Sequence, residues 1–507
     1  MGTLAGVLVH PRPARPSPRR LADLAGSLGL PVPSGGNQTV VTGVTLDSRA
    51  VRPGDLYAAL AGANVHGAQF VGQAVQAGAS AVLTDPRGEP AAAGSGVPVL
   101  VVEDPRARLG EISVSVYGET GIAILGITGT NGKTTVAYLL EAGLASGGLV
   151  TGLIGTVETR IAGVAVPSVR TTPEAPDLHA LLAVMAERGV QAMAMEVSSH
   201  ALAQHRVDGT RFTVGAFTNL SQDHLDFHGD MEGYFQAKAL LFDGRCEHEV
   251  VNVDDEYGRR LVGPATITVS AKGDPRADWR AVDVVAEARG GSRFIVAGPG
   301  GQSFPAGVLL PGRFNVANAL LALAVLAAAG VDPVRAAAGI ARTTVPGRLE
   351  AVTAGQPFTA LVDYAHTPEA VSTLLAALRP DTEGRLIVVL GCGGDRDTGK
   401  RALMGAAAAR GADLLVVTDD NPRSEDPAAI RRAMLRGVDD VGVDRRAEVL
   451  EIGGRREAIA AAVAAAGPGD TVVVTGKGHE QGQEANGVVL PFDDRRVLAE
   501  SIGVLVP

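Results

Sequence analysis

Residues 126–135 read GITGTNGKTT, and this stretch decides the fold of the chain around it. An apolar run over residues 122–125 precedes it, and a helical pattern over residues 134–145 follows it. A glycine-rich turn between a strand and a helix is typical of a phosphate-binding loop, because backbone N–H groups and the helix N-terminus both face the anion. Lys133 would reach the β- and γ-phosphates of a nucleotide, and the Thr134 hydroxyl would bind Mg²⁺.

The loop departs from the strict pattern G-x-x-x-x-G-K-[ST] at one position. That pattern has glycine where this chain has Ile127, and the glycines stand instead at positions 126, 129 and 132. A glycine-rich turn that binds no nucleotide is the alternative interpretation. The loop by itself indicates nucleotide phosphate and leaves the reaction open.

The rest of the chain repeats the strand-then-helix pattern. Short apolar runs such as residues 386–390, 414–417 and 471–474 alternate with alanine-rich helical stretches, which is typical of βαβ units with parallel strands. We predict an α/β fold class with three domains. These are a small N-terminal α/β domain (1–119) that begins with a disordered Pro/Arg arm (1–20), a central P-loop domain with a mostly parallel sheet (120–346), and a C-terminal Rossmann-like doubly wound domain (347–507).

Composition limits the classes of function. The 507 residues include 45 Lys and Arg against 55 Asp and Glu, a net charge of −10, which argues against a nucleic-acid partner. The two cysteines are too few for a disulfide framework, so a reducing cytoplasm is expected. The most apolar stretch is too short to span a bilayer. We expect a cytoplasmic monomer that acts on small molecules and has no membrane span.

Further motifs follow the loop in a fixed order along nearly the whole chain. Together with G-x-x-G-T-N-G-K-T-T they resemble the Mur ligases, which build the stem peptide of peptidoglycan, and within that family the MurE type that adds the third amino acid to UDP-N-acetylmuramoyl-alanyl-glutamate. These motifs are TLDSR (45–49), MEVSSHALAQHR (195–206), TNLSQDHLDFHG (218–229), GRFNVANAL (312–320), VDYAHTP (362–368), GCGGDRDTGKR (391–401), DDNPR (419–423) and GKGHE (476–480).

The resemblance implies an amide ligase that uses ATP as co-substrate, Mg²⁺ as cofactor and an acyl-phosphate intermediate in peptidoglycan precursor synthesis. The implied catalytic residues are Lys133, Glu196, His224 and Lys238. The implied ATP-binding residues are Gly129, Thr130, Asn131, Gly132, Lys133, Thr134, Thr135, Asn315, Arg348 and Asp363. The implied metal site is made of Thr134, Glu196, His224 and Lys238, the last as a carbamate (N6-carboxylysine).

The same resemblance implies where the other two substrates bind. UDP-N-acetylmuramoyl-dipeptide would contact the N-terminal and central domains, and the incoming amino acid would contact the C-terminal domain. The implied dipeptide-binding residues are Leu46, Ser48, Thr171, Thr172, Ser198, Gln204 and Arg206. The implied diaminopimelate-binding residues are Arg396, Asp420, Asn421, Pro422, Arg423, Gly476 and Glu480.

Each of these residues also has an ordinary interpretation. A glutamate at a strand end, such as Glu196, is often a helix cap, His224 can be an exposed loop histidine, and Lys238 can be a solvated helix lysine. The threonines before Pro173 fit a turn, Leu46 and Ser48 fit a strand end, Asn315 fits the first turn of a helix, and D-N-P-R fits an Asp-Asn-Pro turn. The sequence does not show carbamylation.

Arg423 favours diaminopimelate as the added amino acid. Diaminopimelate carries a distal carboxylate that a guanidinium can bind with two hydrogen bonds, whereas the ammonium of lysine would be repelled. The alternatives are the same ligase with L-lysine, a folyl-polyglutamate-type ligase, and a P-loop switch protein that performs no ligation. Meso- and LL-diaminopimelate both carry the distal carboxylate, so the sequence leaves that choice open.

Overall fold

A computed structural model describes residues 11–62, 64–168, 170–287 and 291–505. The first unit is a parallel sheet in the order β3-β4-β5-β6 with helices packed on it, beside a short antiparallel pair, β1-β2. Its strands are β1 (Arg19–Arg20), β2 (Val40–Val41), β3 (Gly43–Thr45), β4 (Asp55–Ala59), β5 (Ala81–Thr84) and β6 (Val99–Val101), and its helices are α1 (Leu21–Ser27), α2 (Val71–Gln76), α3 (Glu89–Ala92) and α4 (Pro105–Tyr117).

The second unit is built on one long sheet in the order β10-β9-β8-β11-β7-β12-β13-β14-β15-β16-β17, parallel from β8 to β15 and antiparallel at both ends. Its strands are β7 (Ala123–Thr128), β8 (Thr151–Ile154), β9 (Glu158–Ile161), β10 (Val164–Pro167), β11 (Ala192–Glu196), β12 (Phe212–Phe217), β13 (Cys246–Asn252), β14 (Ile267–Ser270), β15 (Trp279–Ala286), β16 (Ser292–Ala297) and β17 (Ser303–Val308). Its helices are α5 (Lys133–Ser146), α6 (Ala175–Glu187), α7 (Ser199–Ala203), α8 (Leu225–His228), α9 (Met231–Ala239), α10 (Glu256–Arg260), α11 (Arg313–Ala328) and α12 (Pro333–Ile340).

The third unit has a sheet in the order β18-β19-β23-β20-β21-β22, parallel except at β18, and a separate hairpin, β24-β25. Its strands are β18 (Glu350–Ala351), β19 (Thr359–Asp363), β20 (Leu386–Cys392), β21 (Leu414–Asp419), β22 (Glu448–Glu451), β23 (Thr471–Thr475), β24 (Gly482–Ala485) and β25 (Val488–Pro491), and its helices are α13 (Pro368–Leu378), α14 (Lys400–Gly411), α15 (Pro427–Asp439), α16 (Arg455–Ala465) and α17 (Asp494–Leu505).

Helices cover both faces of the third sheet, as the doubly wound prediction requires. Along β20, Leu386, Val388 and Leu390 belong to one apolar cluster, and Ile387 and Val389 belong to another. Successive strand residues point to opposite faces, so both faces of this sheet are core. This explains why the strand reads as a continuous apolar run, and the prediction of an α/β protein with parallel sheets is confirmed.

The three main sheets lie within residues 43–101, 123–308 and 350–475. The proposed domain boundaries, after residues 119 and 346, fall between them and remain predictions. In the part of the chain that the structure describes, no helix is long and apolar enough to cross a membrane.

The prediction of a disordered arm over residues 1–20 is wrong for residues 11–20. Strand β1 ends this segment and pairs with β2. The Arg12 guanidinium lies 2.9 Å from the Asp55 carboxylate, and two following backbone N–H groups donate to Glu187 at 2.8 Å each. The proline- and arginine-rich composition predicts no apolar core for this segment. The segment is ordered instead by the carboxylates of Asp55 in the first unit and Glu187 in the second. The first ten residues lie outside the described residues.

Candidate active site

The glycine-rich loop connects β7 to α5 at the centre of the long sheet. Its backbone is left-handed at Gly132 (φ 86°), which caps the N-terminus of α5. A Cβ at Gly132 would lie 2.6 Å from Oδ1 of Asn318, so only glycine lets the loop approach α11 this closely. Ile127, the departure from the strict loop pattern, is a buried residue of β7 below the loop. The departure therefore affects packing under the loop.

Lys133 is the first residue of α5, and its side chain folds back over the loop. Its Nζ donates to the carbonyl oxygens of Gly129 and Thr130 at 2.9 Å each. Burial lowers the pKa of Lys133, while the nearby Glu196 and Asp223 carboxylates raise it. The Lys133 side chain thus lies over the carbonyl groups of the loop.

Glu196, at the end of β11, is 1% exposed, and its carboxylate accepts three hydrogen bonds. Its Oε2 accepts from the Thr134 hydroxyl at 3.1 Å, and Thr156 donates to both of its oxygens, from N at 2.8 Å and from Oγ1 at 3.1 Å. A buried carboxylate beside the loop threonine offers hard oxygen ligands next to where the phosphates of a nucleotide would lie. The helix-cap and exposed-loop interpretations of Glu196 are both wrong.

His224 stands at a left-handed position (φ 55°) directly before α8. Its Nε2 lies 3.5 Å from the Asp223 carboxylate, and its ring meets His200 edge-on with centroids 4.8 Å apart. Burial is the largest influence on the pKa of His224 and lowers it. The His224 side chain is 46% exposed, so its interpretation as an exposed loop histidine holds, and the lowered pKa favours the neutral imidazole.

Lys238, on α9, is buried behind the loop, so its interpretation as a solvated helix lysine is wrong. Its Nζ donates to the Gly129 carbonyl at 2.7 Å and lies 4.5 Å from the centre of the Tyr234 ring. Burial and the neighbouring Lys133 place the pKa of Lys238 well below its usual value. Burial of this kind favours the uncharged, nucleophilic form of the amine.

Two threonines and a serine of the implied dipeptide site surround Glu196. Thr171 and Ser198 line the same cavity, and the Thr171 hydroxyl is 2.9 Å from that of Thr156. The Thr172 hydroxyl donates to the Glu196 carbonyl at 2.9 Å and accepts from the Ser198 N–H at 3.1 Å. The turn before Pro173 is therefore attached to the end of β11.

The other implied dipeptide residues lie away from that cavity. Arg206 pairs with Glu174 at 3.1 Å, and the Gln204 side chain accepts from the same guanidinium. Ser48, in the first unit, donates to Gln73 at 3.2 Å, and Leu46 packs on the core of that unit. The structure thus spreads these residues over two units and does not bring them together with Glu196.

Arg348 brings the third unit onto the loop. Its Nη2 donates to the Thr134 hydroxyl at 3.1 Å, and its guanidinium lies 4.3 Å from the centre of the Tyr364 ring. Asp363 accepts backbone N–H bonds from Leu349 and Ala365 at 2.8 Å each, and burial raises its pKa. Asp363 therefore fixes the segment that carries Arg348.

The two asparagines of α11 are linked to each other. Asn315 donates to the Pro311 carbonyl at 2.7 Å and accepts from Asn318 at 3.0 Å. Both amides lie in the first turns of α11, so the helix interpretation holds, and both line the cavity.

One cavity of about 1010 Å³ joins these groups across the second and third units. Eight of the residues implied by the resemblance do not line this cavity: Leu46, Ser48, Gly129, Thr172, Gln204, Arg206, Lys238 and Pro422. Those that do are Thr130, Asn131, Gly132, Lys133, Thr134, Thr135, Thr171, Glu196, Ser198, His224, Asn315, Arg348, Asp363, Arg396, Asp420, Asn421, Arg423, Gly476 and Glu480.

Arg423 is held in a left-handed conformation (φ 53°) and lines the cavity from the third unit. Its Nη1 donates to the Gly394 carbonyl at 2.6 Å, and its Nε lies 3.4 Å from the Glu484 carboxylate. Its own N–H donates to the Glu484 carbonyl at 3.1 Å. These backbone contacts are compatible with the interpretation of D-N-P-R as a local turn. A turn does not explain, however, why the residue that lines the cavity is an arginine.

Sequence reasoning missed several residues of the cavity. Thr156 and His200 line it beside Glu196 and His224, and Lys400, at the start of α14, lines it in the third unit. His200 and Lys400 belong to motifs quoted above, so those motifs could have indicated both residues as part of the site. Thr156 belongs to none of those motifs, and only the fold brings its hydroxyl to Glu196.

The chain is similar to proteins of one family over nearly its whole length. The family descriptions that match are "Mur ligase family, catalytic domain" at residues 40–117, "Mur ligase middle domain" at residues 127–326 and "Mur ligase, glutamate ligase domain" at residues 347–478.

Named relatives are similar over the same length. A Streptomyces coelicolor protein named UDP-N-acetylmuramoyl-L-alanyl-D-glutamate--2,6-diaminopimelate ligase is 59% identical over 499 residues, 97% of this chain and 98% of its own. A Corynebacterium glutamicum protein of that name is 49% identical over 480 residues, 92% of each chain. A solved structure of a ligase of that name has 32% identity and a TM-score of 0.67, covering 96% of this chain and 99% of its own.

Proposed function

The chain belongs to the Mur ligase family, and on that premise we propose that it is an ATP-dependent ligase that adds diaminopimelate to UDP-N-acetylmuramoyl-L-alanyl-D-glutamate in peptidoglycan precursor synthesis. The observation that carries this function is the shared cavity. The loop residues Lys133 and Thr134 line it, and so do Arg423 and Glu480 of the third unit. An ATP site and an amino-acid site that open into one space are what ligation needs.

The reaction has two steps. A carboxylate oxygen of the glutamyl residue bonds to the γ-phosphorus of ATP, the bond from that phosphorus to the bridging oxygen breaks, and ADP leaves. The amino group of diaminopimelate then attacks the acyl carbon, the bond to the phosphate oxygen breaks, phosphate leaves, and the nitrogen loses a proton. Both partners of the first step are anions, so Lys133 and Arg348 supply the positive charge that phosphoryl transfer needs.

The donor set near the loop fits Mg²⁺. Thr134, Glu196 and His224 would hold the ion, together with Lys238 as a carbamate, since oxygen ligands suit Mg²⁺ and the buried Glu196 already lies 3.1 Å from the Thr134 hydroxyl. In the ranges that the structure describes, no three His, Cys, Asp or Glu residues are grouped as a metal site. Oxygens of the ATP phosphates would supply further ligands. When bound, Mg²⁺ neutralises charge on those phosphates.

Carbamylation of Lys238 is part of this proposal. The uncharged Nζ bonds to the carbon of CO₂, and the nitrogen loses a proton, which leaves a carbamate anion. The chemical reason is that only an unprotonated amine reacts with CO₂, and burial beside Lys133 favours that form. The change replaces an amine behind the loop with an anion that would serve as a metal ligand.

Lys238→Ala should be inactive, and short carboxylic acids such as acetate should restore part of the activity by taking the place of the carbamate. Steady-state ligation with increasing acetate measures this. Lys133→Ala is the matched control, because its lost cation cannot be replaced by an acid and acetate should not restore it. A Lys238→Ala enzyme with full activity and no response to acetate would contradict carbamylation.

The substrate assignment is tested by phosphate release from ATP with the UDP-linked dipeptide and a panel of L-lysine, meso-diaminopimelate and LL-diaminopimelate. We expect release only when the dipeptide and a diaminopimelate are both present. Release with L-lysine alone among the amino acids would favour the lysine ligase, and release without an amine would favour a P-loop switch protein. The panel also decides between the two stereoisomers.

We further propose that the enzyme works as a cytoplasmic monomer and that its product serves cell-wall growth, cell shape and cell division. The net charge of −10 and the small-molecule substrates support this placement. Light scattering of the purified chain measures the oligomeric state.

A further inference from the structure

Lys477, the second residue of the GKGHE motif, is fully buried at 0% exposure directly after β23. The lining of the cavity includes its neighbours Gly476 and Glu480 but not Lys477 itself. A buried ammonium group is costly unless carboxylates or amides surround it. Its partners therefore indicate what the lysine does.

Those partners are residues of the implied diaminopimelate site. Lys477 Nζ lies 3.1 Å from Oδ1 of Asn421, 3.2 Å from Oε2 of Glu480 and 3.9 Å from Oδ1 of Asp420. The Glu480 contact spans three residues of the same loop, whereas the Asn421 contact joins residues 56 positions apart. One cation thus connects the D-N-P-R loop to the G-K-G-H-E loop.

The sheet order makes this connection informative. The D-N-P-R loop follows β21 and the G-K-G-H-E loop follows β23, and β20 lies between these two strands. Because β21 and β23 are not neighbours in the sheet, backbone hydrogen bonds between paired strands do not connect the loops that follow them. The loops nevertheless meet closely, since a Cβ at Gly476 (φ 109°) would lie 2.6 Å from Oδ2 of Asp420.

The contacts also fix the orientation of Glu480. Its Oε2 accepts from Lys477 at 3.2 Å and from Nδ2 of Asn421 at 2.9 Å. Oδ1 of Asn421 accepts both from Lys477 and from the N–H of Glu484 at 2.9 Å, so the amide cannot turn over without losing both bonds. Among the described residues, Oε1 of Glu480 has no hydrogen-bond partner, which leaves it for a ligand ammonium.

We propose that Lys477 is a positioning residue for the incoming amino acid: it holds Glu480 and Asn421 so that Oε1 of Glu480 meets the substrate ammonium, and it does not touch substrate itself. This inference rests on the proposed function, because it assumes that Glu480 binds the amino acid. Side chains that are already held in the binding geometry cost less free energy to order when the substrate binds. Loss of Lys477 should therefore raise the KM for the amino acid.

Lys477→Met is the test, since methionine fills most of the same space without a donor. We expect the KM for diaminopimelate to rise about 10- to 100-fold, the range for losing a charge-assisted hydrogen bond. We expect kcat to change less than about threefold. The KM values for ATP and for the UDP-linked dipeptide should change less than about twofold, because a twofold change corresponds to only about 0.4 kcal/mol. Arg456→Met, at an exposed ion pair with Glu500, is the control and should leave all of them unchanged.

A double variant separates positioning from general loss of structure. If Lys477 acts through Glu480, adding Lys477→Met to Glu480→Gln should raise the KM for diaminopimelate less than about threefold further. Lys477→Gln, which keeps a neutral donor, should fall between wild type and Lys477→Met. Thermal melting of every variant accompanies the kinetics.

Several results would overturn the proposal. These are a fall in kcat equal to the rise in KM, a parallel rise of all three KM values with a lower melting temperature, full multiplicativity with Glu480→Gln, or failure of both Lys477 variants to fold. The wild type reports separately on the proposed function. If it ligates L-lysine and not diaminopimelate, the substrate assignment fails, and the same ratios measured with L-lysine still decide the role of Lys477.

Discussion

Lys133→Ala is expected to lower the rate of ligation by about 10³-fold or more while leaving the fold intact. Lys133 carries the loop cation closest to where phosphoryl transfer occurs, and 10³-fold corresponds to about 4 kcal/mol in the transition state. The fold should survive because the Gly129 carbonyl keeps its bond from Lys238 at 2.7 Å. Phosphate release with all three substrates, together with a thermal melt, measures both expectations.

Arg276→Ala is the matched control in the same unit, because this arginine is exposed and forms an ion pair with Asp274 at the surface. Its removal should change stability by less than about 0.5 kcal/mol and leave ligation unchanged. Near-normal turnover by a folded Lys133→Ala protein would show that the loop does not bind the transferring phosphate through this lysine.

Arg423→Ala should lose diaminopimelate ligation while still binding ATP and the UDP-linked dipeptide. Its guanidinium is oriented by Gly394 and lines the cavity, where the distal carboxylate of diaminopimelate would bind. Removing one partner of a buried, charge-assisted pair costs about 2–5 kcal/mol, because the other charge stays buried without a partner. This corresponds to about 30- to 4,000-fold in kcat/KM.

Two further variants sharpen that experiment. Arg423→Lys should restore little activity, since an ammonium group does not reproduce the planar guanidinium fork. Arg432→Ala, an exposed arginine on α15 paired with Asp426, should behave as wild type. L-Lysine addition should not improve greatly in Arg423→Ala, because removing a repulsion does not build a site for the lysine side chain. A kcat/KM for diaminopimelate within about threefold of wild type would remove the main support for the substrate assignment.

Most of the secondary structure could be predicted from the sequence. The run at residues 122–125 lies within or just before β7, and the helix expected over residues 134–145 is α5, Lys133–Ser146. Parallel strands buried on both faces are apolar throughout, and glycine-rich turns separate them from helices, so the pattern is visible locally. Helix α11 begins at Arg313, and its first turns carry the two cavity-lining asparagines.

The candidate site was less accessible to sequence reasoning. Motifs indicated Lys133 and Glu196, but nothing in the sequence placed Thr156 against Glu196 or Lys477 between two loops. The burial of Lys238 is also hidden in the sequence, since its helix carries an ordinary mixture of polar and apolar residues that fits the alternative of a solvated lysine equally well. The prediction of disorder for the Pro/Arg arm is wrong for a similar reason, because the residues that bind the arm, Asp55 and Glu187, are far away in the sequence.

The sequence by itself determined the α/β class, the phosphate loop and the family, because these depend on local periodicity and on motifs that are contiguous in the chain. The tertiary structure decided which of those motifs meet. Strand order brings the ends of β7 and β11 side by side, and folding of the third unit against the second brings Arg348 to Thr134. Burial, which sets the charge of Lys238 and requires partners for Lys477, is a property of packing between distant segments, and no local pattern encodes it.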